Sequence, residues 1–238
     1  MLLNDRLKNA KINSLNSKVL LHNRGALFFL TKPMKTNVEI RALALDQMKG
    51  NWRAGVIITL IYVAIEAVAS GSGLIDQTVG ATAYSLIYIL GLYPLAFGFY
   101  TTFLSLCRDG KPLAVESFFE GFTREYFAKA IVVQLLVAIF VALWSLLLIV
   151  PGIIKACAYL LAPFIVAENP NTTAMEAIQL SEKMMDGHKM DLFRIILGML
   201  GCVLLSVLLL GIPLLWLVPY YMAVYTNFYL EVKKEYNA

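Results

Sequence analysis

The sequence is poor in charged residues and in the residues of metal and redox chemistry. Only 15% of its 238 residues are charged, and it holds two histidines and three cysteines. Soluble domains carry about 25% charged residues, so this balance, with a mean hydropathy of +0.70, excludes an ordinary soluble domain. A hydrophobic share of 59% also excludes a disordered chain. The remaining class is an integral membrane protein.

Long charge-free runs predict membrane spans. A helix needs about 20 apolar residues to cross a hydrocarbon core of about 30 Å. Three runs reach this length, and the last of them is long enough for two spans, with Gly211-Ile212-Pro213 as the reversal. Two shorter segments, interrupted by Glu66 and Lys155, complete a set of six. The six predicted spans lie at about 54–75, 79–107, 128–150, 152–168, 190–211 and 213–231.

The distribution of lysine and arginine predicts the orientation. Basic residues close to span ends are retained in the cytoplasm. All of them except Lys155 fall before the first span, in the even-numbered connections or after the last span. We therefore expect a multi-pass cell-membrane protein with both termini cytoplasmic. Its parts are a tail over 1–36, a membrane domain over 37–231 and a short tail over 232–238, and translation from Met34 is one hypothesis for the start.

Three segments outside the predicted spans show helical periodicity. In the stretch 113–127, apolar residues recur at helical spacing and predict an amphipathic helix. A second such helix opens with the capping box Thr173 to Glu176 and ends at Gly187, which suits a left-handed backbone. A third begins with Asn37 as N-cap and stops at Gly50. The apolar faces consist of Val115, Phe118, Phe119, Phe122 and Tyr126; Ala174, Ala177, Ile178, Ser181, Met184 and Met185; and Ile40, Leu43, Ala44 and Met48.

These segments also predict an internal repeat. When the three segments are aligned, Gly50, Gly121 and Gly187 fall at the same position, and each is followed closely by a basic residue and a span. The repeat is interrupted by an apparent insertion that begins at Ser70-Gly71-Ser72-Gly73. The predicted fold is an all-α membrane bundle of six transmembrane helices in three hairpins, each preceded by a cytoplasmic amphipathic helix.

Several motifs resemble a known family. The stretch from Leu143 to Lys155, the motif Ala167-Glu168-Asn169-Pro170, and the run from Ser181 to Lys189 closely resemble bacterial membrane proteins of domain of unknown function family 975. Lys49-Gly50-Asn51-Trp52 looks like the opening motif of that family. The pattern is more distantly similar to the membrane domain of some glycerophosphodiester phosphodiesterases. The resemblance implies a polytopic membrane protein without a settled activity.

Two charged residues inside predicted spans are candidates for ligand or lipid contact. Lys155 either extends its ammonium to the headgroups or binds an anionic headgroup or substrate. Tyr159 lies one turn further on the same helix face and offers a hydroxyl. Glu66 is either a protonated or paired structural carboxyl or a member of a proton or cation path.

A second candidate set lies at the predicted cytoplasmic interface. These residues belong to the capping box, lie on the helix that it opens or follow Gly187, and they are Glu176, Lys183, His188 and Lys189. Anchoring at the membrane surface explains the basic ones. His188 lacks the neighbours of a metal site, so no metal is expected. The three cysteines are expected to serve packing. We expect no cofactor and no nucleic acid, since no phosphate loop, dinucleotide turn or nucleophile elbow occurs and the basic residues follow membrane topology.

The function favoured by the sequence is a non-enzymatic bundle in envelope maintenance that binds membrane lipids, or protein partners through its cytoplasmic helices. The alternative is a transporter or exporter of a small or lipidic substrate, suggested by Glu66, Lys155 and the prolines that kink the second spans. An intramembrane enzyme acting on lipids rests only on the distant phosphodiesterase resemblance. The oligomeric state and the identity of any ligand are not determined by the sequence.

Overall fold

A computed structural model describes residues 34–71, 86 and 88–237, and within these residues all regular structure is helical. The predicted tail up to residue 33, most of the insertion after Ser70 and the start of the second span lie outside the described residues. A π-helical turn, Tyr88–Leu92, leads into the helix Tyr93–Asp109, and a 3₁₀ helix, Glu116–Phe122, follows that helix. The α-helices are α1 Asn37–Met48, α2 Trp52–Gly71, α3 Tyr93–Asp109, α4 Phe127–Leu147, α5 Ile149–Tyr159, α6 Ala162–Glu168, α7 Ala174–Met184, α8 Lys189–Leu208 and α9 Leu214–Tyr236.

Within the described residues, four helical stretches are long and apolar enough to cross a membrane. They are Tyr88–Asp109, Phe127–Leu147, Ile149–Glu168 and Lys189–Leu208. Helices α1 and α2 pass the same test only as a pair, and they are bent by 94° at the residues between them. The structure thus supports a helical protein compatible with a membrane, with four or five candidate spans rather than the six expected.

The helix caps are as predicted at α7, and the N-cap of α1 lies one residue before the predicted one. The capping box at the start of α7 is present, since the Thr173 side chain accepts from the Glu176 N–H and Glu176 accepts from the Thr173 N–H. Helix α1 has an equivalent box on Thr36 and Glu39, so the prediction of Asn37 as N-cap was wrong by one residue. Gly187, after α7, has a φ of +86°, the left-handed value predicted for it.

The segment 113–127 differs from the prediction of an amphipathic α-helix. It forms the shorter 3₁₀ helix, in which Phe118 and Gly121 are buried while Phe119 and Phe122 are exposed. Three residues per turn place positions 118 and 121 on one face. That face lies against α3, where a Cβ on Gly121 would stand 1.9 Å from the Pro94 carbonyl oxygen. Close backbone packing therefore selects the buried face here.

Each of the three short segments packs along a helix that ends a predicted hairpin. The 3₁₀ helix packs on α3, α7 packs on α5 and α6, and α1 packs on α9. For α7 the six residues of the predicted apolar face are all buried, from Ala174 to Met185. Helix α1 buries Ile40, Ala44 and Met48 in the same way. The first and last helices of the described chain are thus neighbours.

The core lies where α3, α6 and α9 meet. Its centre is aromatic: the ring centroids of Tyr100 and Phe164 are 4.8 Å apart, and Phe164 stacks on Tyr229 at 5.3 Å. The residues around the connection between α4 and α5 and around that between α8 and α9 are apolar and exposed, with Leu146 at 86% and Leu210 at 90%. Large exposed apolar surfaces are costly in water. Their presence at these two connections is compatible with a lipid environment.

Candidate functional site

The break between α5 and α6 positions the first cluster of polar residues. Pro163 lacks an N–H and its ring crowds the carbonyl four residues earlier, so one continuous helix is disfavoured. The Ser181 hydroxyl of α7 fills the break, donating to the Ala158 carbonyl at 2.6 Å and accepting from the Leu161 N–H at 3.2 Å. Ser181 is fully buried. One side chain thus satisfies two backbone groups that the break leaves unpaired.

Lys155 lies one turn before this break and forms an ion pair with Glu182, the residue after Ser181. Its ammonium also lies 5.0 Å from the centre of the Trp144 ring and 5.6 Å from that of Tyr159. The Lys155 side chain is 23% exposed and that of Glu182 is 41% exposed. The ammonium is therefore partly enclosed by two rings, and its carboxylate partner remains accessible.

Glu66 is not part of this cluster. It lies on α2, where its carboxylate interacts with the Tyr62 hydroxyl one turn earlier on the same helix. The residue that pairs with Lys155 is instead Glu182. The sequence placed Glu182 on the predicted helix from Thr173 to Gly187 but assigned it no role. The structure thus brings Lys155 and Tyr159 together and leaves Glu66 elsewhere.

The four candidate interface residues lie on α7, in the turn after it and at the start of α8, and they do not converge on one point. Glu176 belongs to the capping box, and the hydrogen bond from the Thr173 backbone N–H holds the pKa of its carboxyl below the usual value. His188 lies 3.8 Å from the Glu235 carboxylate, and Lys189 lies 3.6 Å from Asp186. Lys183 is exposed. In the part of the chain that the structure describes, no group of three or more His, Cys, Asp or Glu side chains is arranged to hold a metal ion.

A second cluster, which the sequence did not predict, joins the ends of α3, α6 and α9. Glu168 accepts from the Tyr229 hydroxyl at 2.5 Å and pairs with Lys233 at 2.5 Å and with Arg108 at 3.4 Å. Each of the three core helices therefore contributes a charged residue at its C-terminal end. The available signal was Glu168 itself, a carboxylate directly after a long apolar run. Its partners are 60 and 65 residues away in the chain, so no local pattern identifies them.

An apolar groove of about 480 Å³ lies between α8 and α9 near the Gly211 turn. The Ser206 hydroxyl in its wall already donates to the Cys202 carbonyl at 2.7 Å. Cys202 is the exposed cysteine, whereas Cys157 is buried. The groove is lined by Cys202, Leu205, Ser206, Leu209, Ile212, Pro213, Trp216 and Leu217. Its chemistry suits a hydrocarbon chain rather than a polar ligand.

Comparison with known families agrees with the motifs. The chain matches the family described as "Protein of unknown function (DUF975)" over residues 34–158 and again over 146–236. It belongs to this family. No curated protein and no solved structure matches the chain. The distant similarity to the membrane domain of glycerophosphodiester phosphodiesterases is therefore unsupported. Membership in DUF975 does not supply an activity, so the function has to be argued from the sites.

Proposed function

We propose that this DUF975 protein is a non-enzymatic bundle that binds membrane lipid and serves envelope maintenance. In this proposal the helices form six spans in the cell membrane with both termini cytoplasmic. The positions of the basic residues support the orientation. The length and composition of the helices Tyr88–Asp109, Phe127–Leu147, Ile149–Glu168 and Lys189–Leu208 support the membrane setting.

The apolar groove between α8 and α9 carries the proposal. Its lining includes Leu209, which lies between the highly exposed Leu208 and Leu210. In a bilayer this surface faces acyl chains, and a concave apolar surface orders one of them in preference to its neighbours. The groove residue Trp216 adds a large flat apolar wall. Such a site binds lipid without chemical change.

Leu208, the last residue of α8, and Leu209, its C-cap, provide a matched test. Both leucines are exposed, but Leu209 lines the groove and Leu208 does not. Leu209→Trp fills the groove, and Leu208→Trp places the same indole outside it. We expect native mass spectrometry to show a retained phospholipid on the wild-type protein and on Leu208→Trp, and its loss from Leu209→Trp. Equal retention by both variants would reject the groove as the lipid site, and no retained lipid on the wild type would direct the search to protein partners of α1 and α7.

Transport of a small or lipidic substrate is the second candidate, favoured by the broken helix α5–α6 and the ion pair beside it. Broken helices and buried charges are typical of transporter binding sites. Substrate accumulation in proteoliposomes, abolished by Glu66→Gln or Lys155→Met, would establish transport. Accumulation that is the same with and without the protein would exclude it.

A further inference from the structure

We infer that Lys155 is a binding site for the phosphate of an anionic lipid and that Glu182 occupies this site as an internal competitor. The inference rests on the proposed lipid binding and adds the headgroup class and a second location. Glu182 belongs to α7, whereas Lys155 belongs to α5, so the pair joins two elements. The carboxylate stands where a phosphate oxygen of a bound lipid would stand.

Lys155 depends more on the ion pair than Glu182 does, because its side chain is less exposed to solvent. Lys155 is the more enclosed, at 23% exposure against 41% for Glu182. An enclosed ammonium requires an anion, whereas a carboxylate with that exposure is solvated readily once released. A phosphate satisfies the ammonium at least as well, because it offers more acceptor oxygens and charge-assisted hydrogen bonds. The exchange therefore leaves Lys155 paired throughout.

The surroundings of the ammonium suit a lipid rather than a soluble anion. Trp144 on α4, whose ring the ammonium faces, and Ile154 on α5, the residue before Lys155, are exposed apolar side chains. Acyl chains pack on such a surface. A tryptophan ring with one apolar and one polar edge is typical of the boundary where headgroups begin. A ligand whose phosphate binds the ammonium and whose acyl chain packs on these side chains is a phospholipid.

The exchange does not require α7 to leave the bundle. Helix α7 is held separately by Ser181, whose hydroxyl bonds both sides of the α5–α6 break, and by the buried Ala177 and Ile178. Releasing Glu182 changes the charge of the α7 surface while its packing remains. Lipid binding at Lys155 would thus expose a carboxylate on α7 that is neutralised in the lipid-free protein.

Binding of defined lipids to the purified full chain tests the inference. The probes are dioleoyl phosphatidylglycerol, which is anionic, dioleoyl phosphatidylcholine, which is zwitterionic, and inorganic phosphate. Affinities are compared by native mass spectrometry of the detergent-solubilised protein. Glu182→Gln removes the competitor, and Asp186→Asn is its control because it removes a highly exposed carboxylate from the turn that follows α7. Lys155→Met removes the ammonium, Lys155→Arg keeps the charge, and Lys183→Met controls for the loss of one positive charge on α7.

We expect the wild type to prefer phosphatidylglycerol, and Glu182→Gln to bind it about fivefold more tightly, the order of one partly exposed ion pair. Asp186→Asn and Lys183→Met should match the wild type. Lys155→Met should bind the two lipids alike, and Lys155→Arg should restore the preference. Either Glu182→Gln binding no more tightly than Asp186→Asn, or a preference retained by Lys155→Met, would overturn the inference. Inorganic phosphate displacing phosphatidylglycerol at equal affinity would identify a free-anion site and overturn the lipid assignment.

The outcomes also separate this inference from the proposed function. Equal retention of both lipids by the wild type would remove the headgroup site and leave lipid binding in the groove intact. Retention of neither lipid would reject both. Two independent lipid contacts on one protein would follow if Lys155→Met lost only the preference for phosphatidylglycerol, and if Leu209→Trp lost one retained lipid but kept the preference.

Discussion

The Ser181 hydroxyl donates to the Ala158 carbonyl across the interface between α7 and α5. The same oxygen accepts from Leu161, so a single buried serine bridges the break between α5 and α6. This bridge places Glu182, the next residue of α7, beside Lys155. The polar cluster and the docking of α7 therefore depend on one another.

Removing this hydroxyl should loosen α7. Ser181→Ala leaves the Ala158 carbonyl and the Leu161 N–H without their partner, at a cost of about 1–3 kcal/mol in the free energy of unfolding. Denaturation in mixed micelles measures the loss, and faster maleimide modification of the buried Cys157 would locate it at this interface. Ser206→Ala is the control, since that buried hydroxyl bonds only within its own helix, and we expect a change below about 0.5 kcal/mol.

The contact between α3 and the 3₁₀ helix should not tolerate a side chain at Gly98. A Cβ there would stand 1.8 Å from the Phe118 carbonyl oxygen, so Gly98→Ala must force the two backbones apart, at about 1–3 kcal/mol or more. Gly201→Ala in α8 is the matched change, because nothing lies within 4 Å of its added methyl. It should stabilise by about 0.5–1 kcal/mol through helix propensity. Equal effects of the two substitutions would contradict the close packing.

The cluster at the ends of the core helices should contribute to stability. Glu168→Gln removes the charge that Lys233 and Arg108 share, and we expect a loss of about 1–2 kcal/mol because the carboxylate is mostly enclosed while its partners are partly exposed. Asp46→Asn breaks the exposed pair with Lys49 and should cost less than Glu168→Gln, because water screens this pair. A loss for Glu168→Gln no larger than that for Asp46→Asn would show that the cluster is incidental.

The start of α7 should lose stability in acid. Hydrogen bonding to Thr173 lowers the pKa of the Glu176 carboxyl in the folded protein below its ordinary value of 4.5. Its contribution is therefore complete above that value and is lost as the pH falls through the lowered pKa. Carboxyl chemical shifts measured by NMR give the titration. Glu176→Gln should remove this part of the pH dependence, and a Glu176 pKa at or above 4.5 would refute the assignment.

The sequence predicted the parts of the fold that depend on local physics. The all-helical class, the capping box at Thr173, the left-handed Gly187 and the buried face of α7 each follow from spacing of a few residues. The prediction of an amphipathic α-helix over 113–127 was wrong. The close approach of the 3₁₀ helix to α3 at Gly98 and Gly121, rather than apolar periodicity, selects its buried face. Whether six spans cross the membrane stays a prediction.

The candidate site was predicted less completely, for a physical reason. Lys155 and Tyr159 share a helix face, so local spacing reaches both. Glu182 and Glu168 obtain their roles from partners on other helices, and no local pattern encodes such a meeting. The resemblance to DUF975 drew attention to the motifs containing these residues without assigning them a contact.

The packing of α1 on α9 has a consequence for how the protein is made. Gln47 accepts from the Asn227 amide at 2.6 Å, and Glu231 binds Lys35, so the earliest described helix is secured by the last. Because the ribosome delivers α9 after every other described helix, the face of α1 that packs on α9 lacks this cover until α9 has been made. Ribosome-bound chains stalled before α9 should therefore leave α1 more open to protease than chains that contain α9.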